Sequence, residues 1–201
     1  MKKISTVFII LIIAIIPAIS QTDSSRNKVM SFVPQYLINN GIRVDYELRI
    51  HKNNWLQLCP QFYLTEKGSN STSNSDNYNE VAGVGIFAYH KVYLNKRKLP
   101  FGAYFSYGAT YNYFTIKFDE TNNNVTTSEN TQINKFGGDF LIGYQTIVSE
   151  RIVLDVYTGI GGRYSNYKYS GTTRPKYNDT YWDYGYTGNL MHLGFRIGIY
   201  F

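Results

Sequence analysis

Met191-His192-Leu193-Gly194-Phe195-Arg196-Ile197-Gly198-Ile199-Tyr200-Phe201 is the stretch that decides the fold. At period two, Met191, Leu193, Phe195, Ile197, Ile199 and Phe201 make an unbroken apolar row, and His192, Gly194, Arg196, Gly198 and Tyr200 make a mixed one. Successive side chains on a strand point to opposite faces, so this is a strand with one greasy face. Chain ends normally fray. A last strand this regular suits a cylinder that it must close.

The same alternation recurs upstream. Ile42, Val44, Tyr46, Leu48 and Ile50 are interleaved with Arg43, Asp45, Glu47 and Arg49. Leu56, Leu58, Phe62 and Leu64 oppose Gln57, Cys59 and Gln61, with Pro60 on the apolar side. Because proline cannot donate to a ladder, Pro60 predicts a bulge or an edge defect. Further on, Phe101, Ala103, Phe105, Tyr107, Ala109, Tyr111 and Tyr113 share one face. The pattern predicts eight strands, at 28–33, 42–50, 56–64, 80–94, 101–113, 136–145, 152–164 and 191–201. Short turns are expected at 51–54, 95–100 and 148–151, and long polar loops at 66–79, 119–130 and 166–188.

The second face carries many glycines and few lysines or glutamates, which suits a cramped interior better than a solvated surface. The expected arrangement is therefore inverted, with apolar side chains outward to lipid and small or polar ones inward. Closure leaves no unpaired strand edge in hydrocarbon, where each such group costs several kcal/mol. The fold class is all-β, an eight-stranded antiparallel up-and-down transmembrane β-barrel. Loop length orients it, short turns to the periplasm and long loops outside. Composition agrees: charged residues are 17% of the chain against about 25% in soluble domains, and tyrosine is abundant at 20 residues. Tyr46, Phe101, Tyr111, Tyr113 and Tyr164, outward near strand ends, are expected to form aromatic girdles.

Residues 1–20 read as a secretory signal peptide, with Lys2 and Lys3, an apolar run from Val7 to Ile16, and small residues at Ala18 and Ser20. That run is too short to anchor, and no cysteine follows the cleavage site. Residues 21–201 form one barrel domain. Removing Lys2 and Lys3 takes the net charge from +6 to +4, and no basic stripe points to nucleic acid. Cys59, the lone cysteine, has no partner for a disulfide or a metal site.

With its export signal, its rhythm of strands and loops, and the ending Leu193-x-Phe195-x-Ile197-x-Ile199-x-Phe201, the chain resembles the small eight-stranded outer-membrane β-barrel proteins of the OmpA/OmpX-like group. The family often has tyrosine where this chain has Ile199. The resemblance implies an integral protein of a Gram-negative-type outer membrane, a monomer contacting outer-membrane lipid. It also implies that Leu193, Phe195, Ile197, Ile199 and Phe201 are read by the barrel-assembly machinery. No peptidoglycan-binding domain follows the barrel, so a cell-wall anchoring role is not implied.

Inward parity brings Arg43, Asp45, Glu47, Arg49, Asp139, Asp155, Arg163 and Arg196 into the lumen. Unpaired charges there would be costly, so they are expected to pair and fill it. The alternative is a narrow, porin-like pore lined by them. A lipid-modifying enzyme is a third reading, with Ser165 and His192 as nucleophile and base. No orienting third group or nucleophile motif supports it, so no catalytic residue is assigned. No cofactor and no metal site is expected, the three histidines lacking ligand spacing. Tyr177, Tyr181, Trp182 and Tyr184 in the last long loop are candidates for contact with a surface partner. They could equally pack the barrel rim.

Overall fold

A computed structural model describes residues 27–66, 78–95, 101–122, 125–172 and 174–201. They form eight strands: β1 (Lys28–Phe32), β2 (Gly41–His51), β3 (Asn54–Glu66), β4 (Glu80–Tyr93), β5 (Gly102–Asn122), β6 (Val125–Ile147), β7 (Ile152–Tyr169) and β8 (Gly188–Tyr200). Each pairs antiparallel with its sequence neighbour, and β1 pairs with β8 to close the barrel. The closing ladder runs from Val29↔Tyr200 to Phe32↔Ile197. It is finished by reciprocal bonds between the Lys28 and Phe201 backbones, 2.9 Å each way. The terminal strand does close the cylinder. The proposed signal peptide lies outside the described residues, as do most of the 66–79 loop and of the 95–100 turn.

β1 is short because Pro34 follows it and begins a 3-10 helix, Pro34–Asn39. The upper part of β8 therefore faces this helix rather than a strand. The helix is tied into the lumen by two bonds. Arg43 donates to the Tyr36 hydroxyl at 2.9 Å, and Gln35 Nε2 donates to the Tyr157 hydroxyl at 2.8 Å. Asn40 leaves it in the left-handed region, φ +53°, a conformation asparagine tolerates.

Two expectations need correction. Of the bulge or edge defect expected at Pro60, the bulge is absent and the defect is present as a gap in one ladder. Arg43↔Gln61 and Tyr46↔Leu58 keep one register across it, the ladder to β2 lapses between them, and the ladder to β4 is unbroken at Pro60↔Ile86. A missing N–H removes a bond without shifting the strand. The irregularity falls instead between Arg49 and His51. The supposed loop at 119–130 is mostly strand. β5 and β6 stay paired up to Asn122↔Val125 and stand above the rest of the wall as a hairpin arm. Asp119, Thr126, Thr127 and Ser128 are exposed because the arm leaves the apolar belt, not because it is irregular.

The inversion is plain on β8, where Phe195 and Ile197 are each 46% exposed and Arg196 between them is 1% exposed. Exposed Phe62, Ile86, Tyr107, Phe140 and Ile160 continue the apolar outer face around the wall. Glycine makes room inside. A Cβ on Gly108 would overlap the Ala88 carbonyl and sit 2.7 Å from Tyr89 Cα, whereas one on outward Gly162 would meet only Asn189 Oδ1 at 3.7 Å.

Candidate functional site

The lumen is filled in tiers. At the short-turn end, Trp55, Tyr93, Tyr104, Val153 and Tyr200 form an aromatic floor with Val29. β2, β4, β7 and β8 then send in the main ionic network. Lys91 donates to Glu47 at 2.9 Å, Gln145 at 2.6 Å and Asp155 at 3.1 Å. Asp155 also accepts from Arg196 and from the Tyr104 hydroxyl, at 2.7 Å each. Arg196 Nε lies 2.8 Å from Asp45, which Arg43 grips with two nitrogens and Gln57 reaches at 2.7 Å. The guanidinium of Arg196 lies over the Tyr157 ring at 4.0 Å, as Lys91 does over Tyr104.

A second group sits nearer the long loops. Arg163 grips Asp139 at 2.6 and 3.0 Å, Tyr89 donates to the same carboxylate at 2.6 Å, and His192 Nε2 lies 3.0 Å from it. Gly161 leaves the space that Asp139 and His192 fill. Phe87 lies between the guanidiniums of Arg43 and Arg163, 5.2 and 5.5 Å away. At the long-loop end, Tyr63 packs edge to face on Phe114 and Tyr184, which are tilted against each other, with centroids 5.1–6.3 Å apart, joined by Tyr78, Ile116, Ile133 and Tyr177.

Seven of the eight charged residues read from parity thus meet in two networks. Arg49 is the exception in place: it lies only partly buried at the turn end of β2. Lys91 and Lys135 were not named, although both continue the inward parity of their strands, two positions past Tyr89 and four before Asp139. Ser165 and His192 do not meet. Ser165 donates to the Tyr186 carbonyl at 3.0 Å. His192 faces Gly159, six positions along β7 from Ser165, roughly 20 Å of strand. Among the described residues no group of His, Cys, Asp or Glu side chains could hold a metal ion.

The loop aromatics divide. Tyr177 and Tyr184 are 1% and 8% exposed and belong to the roof, whereas Tyr181 and Trp182 are 56% and 49% exposed and lie ring to ring at 4.6 Å. The exposed pair is held out by buried feet. Asp183 caps the intervening turn by accepting from the Thr180 N–H at 2.9 Å, and the Tyr167 hydroxyl bonds the Gly185 carbonyl at 2.6 Å. Leu193, Phe195, Ile197 and Ile199 all stand exposed on the outer face of β8. Comparison with protein-family models, curated proteins and solved structures gives no match.

Proposed function

We propose that this protein is an integral outer-membrane barrel, OmpA/OmpX-like in architecture, with a filled lumen and a structural or surface-contact role. The carrying observation is the inversion on β8, a buried arginine between two exposed apolar side chains. A water-soluble barrel with this pattern would set a continuous apolar belt in water, whereas a bilayer makes the same belt favourable. The tiers of the lumen favour a plug over a pore, and Tyr181 with Trp182 is the surface offered to a partner. The test is fractionation of cells followed by electrophoresis with and without boiling. Recovery in the outer membrane with a band that shifts on boiling is expected. Recovery in a soluble fraction overturns the reading.

A further inference from the structure

Among the described residues five cations are buried: Arg43, Lys91, Lys135, Arg163 and Arg196. Four have a carboxylate at 2.5–3.1 Å. Lys135 has none among the described residues. Its ammonium makes one hydrogen bond, to the Asp183 carbonyl at 2.9 Å, with the Phe114 ring 5.6 Å away. An ammonium carries three hydrogens, so two have no partner among the described residues, and Lys135 is only 9% exposed. Burying a charge without a partner costs far more than burying a paired one.

The surroundings are also incomplete. One row of the wall places Gln61, Gly85, Asn112, Lys135 and Ser165 side by side. Gln61 Nε2, Asn112 Oδ1 and, one row below, Thr110 Oγ1 have no partner, although all three residues are more than nine-tenths buried. Asn112 leans across Gly85, toward the Gln61 side of the row. The Gln61 oxygen is already taken by the Tyr63 hydroxyl at 2.7 Å, so the free end of Gln61 is a donor. Of the Asp183 carboxylate, Oδ2 caps Thr180 and Oδ1 is buried without a hydrogen-bond partner, and neither oxygen pairs with Lys135 at ion-pair distance.

We infer that the inward groups around Lys135, between the aromatic roof and the Arg163–Asp139 pair, bind a small anion, a halide or a single carboxylate group. Lys135 is its counter-charge, and Gln61 Nε2 and the Thr110 hydroxyl are neutral donors. The site does not depend on which membrane holds the barrel, so it is tested on detergent-folded protein. Unfolding temperature is measured against chloride, and separately acetate, at constant ionic strength completed with methanesulfonate, which is neither a halide nor a carboxylate. A saturable rise with chloride, acetate or both is expected, and the effective ion identifies the class. Lys135→Met should abolish the rise, Gln61→Leu should weaken the apparent affinity several-fold, and Asp183→Asn should keep it. A wild type indifferent to the anion overturns the inference. So does a rise that survives in Lys135→Met, or, should that variant not fold, one unchanged in Gln61→Leu. A rise lost only in Asp183→Asn overturns it too, since Asp183 would then be the partner of Lys135.

Discussion

Asp155 is the residue on which the lower network turns, since it accepts from Lys91, Arg196 and Tyr104 together. Asp155→Ala would leave two buried cations short of a partner. Breaking a buried pair this way costs about 3–5 kcal/mol, so the urea midpoint of the folded barrel should fall markedly. Replacing both Lys91 and Asp155 with leucine should cost less than Asp155→Ala alone, because it removes one charge of each sign and leaves Arg43 and Arg196 balanced by Asp45 and Glu47, although Glu47 loses its ammonium partner. Glycines give a second contrast. Gly108→Ala should impair folding, its Cβ colliding with the Ala88 carbonyl, while Gly162→Ala on the outer face should be tolerated, both read from the fraction of heat-shifting protein. Which residues point inward was legible from parity, because a strand alternates whatever it pairs with. Which of them meet was not. Arg43 and Asp45 are two positions apart, but Lys91 and Asp155 are 64 apart, and the tilt that joins them belongs to the closed wall. Lys135 was missed because polar Asn134 and Gln132 hide the outward apolar face that marks the parity of β6 further along.

At the scale of elements, the strands were visible and their upper ends were not. An apolar outer face marks a strand only as far as the exposed apolar belt extends. Above Tyr113 the outer side chains turn polar, Thr115, Lys117 and Asp119, so the continuing ladder of β5 and β6 has no such signature. The 3-10 helix was hidden in the same way, with only Pro34 to signal that β1 stops. The roof is the element with its own pH response. Burial pushes the Tyr177 hydroxyl up to about 12, with Tyr169 and Tyr78 adding to it. A raised tyrosine holds its proton more tightly when packed than when released. Its contribution is therefore whole below pH about 10, the ordinary tyrosine value, and is lost as pH rises through about 12. Protease cleavage of the 174–187 loop should accelerate across that window. Tyr177→Phe, which has no proton to lose, should move the acceleration to higher pH.

For the whole molecule the question is whether a closed wall encloses a path. An eight-stranded barrel is only wide enough for side chains to fill, and this one is obstructed at the aromatic floor, at two ionic networks and at the roof. Opening the roof alone should therefore not open a channel. Tyr177→Ala combined with Tyr184→Ala removes two rings from the outer end but leaves Lys91, Asp155, Arg196, Asp45 and Arg43 bonded across the lumen. In planar bilayers both the wild type and this double variant are expected to show little or no steady current, although the variant's loop should be cleaved faster. Current in the variant alone would make the roof the gate and the ionic networks a lining that ions can pass. Large, stable, ohmic steps in the wild type would mean that Asp155 and its partners separate at little cost. That outcome conflicts with the destabilisation expected of Asp155→Ala, so the two measurements check each other.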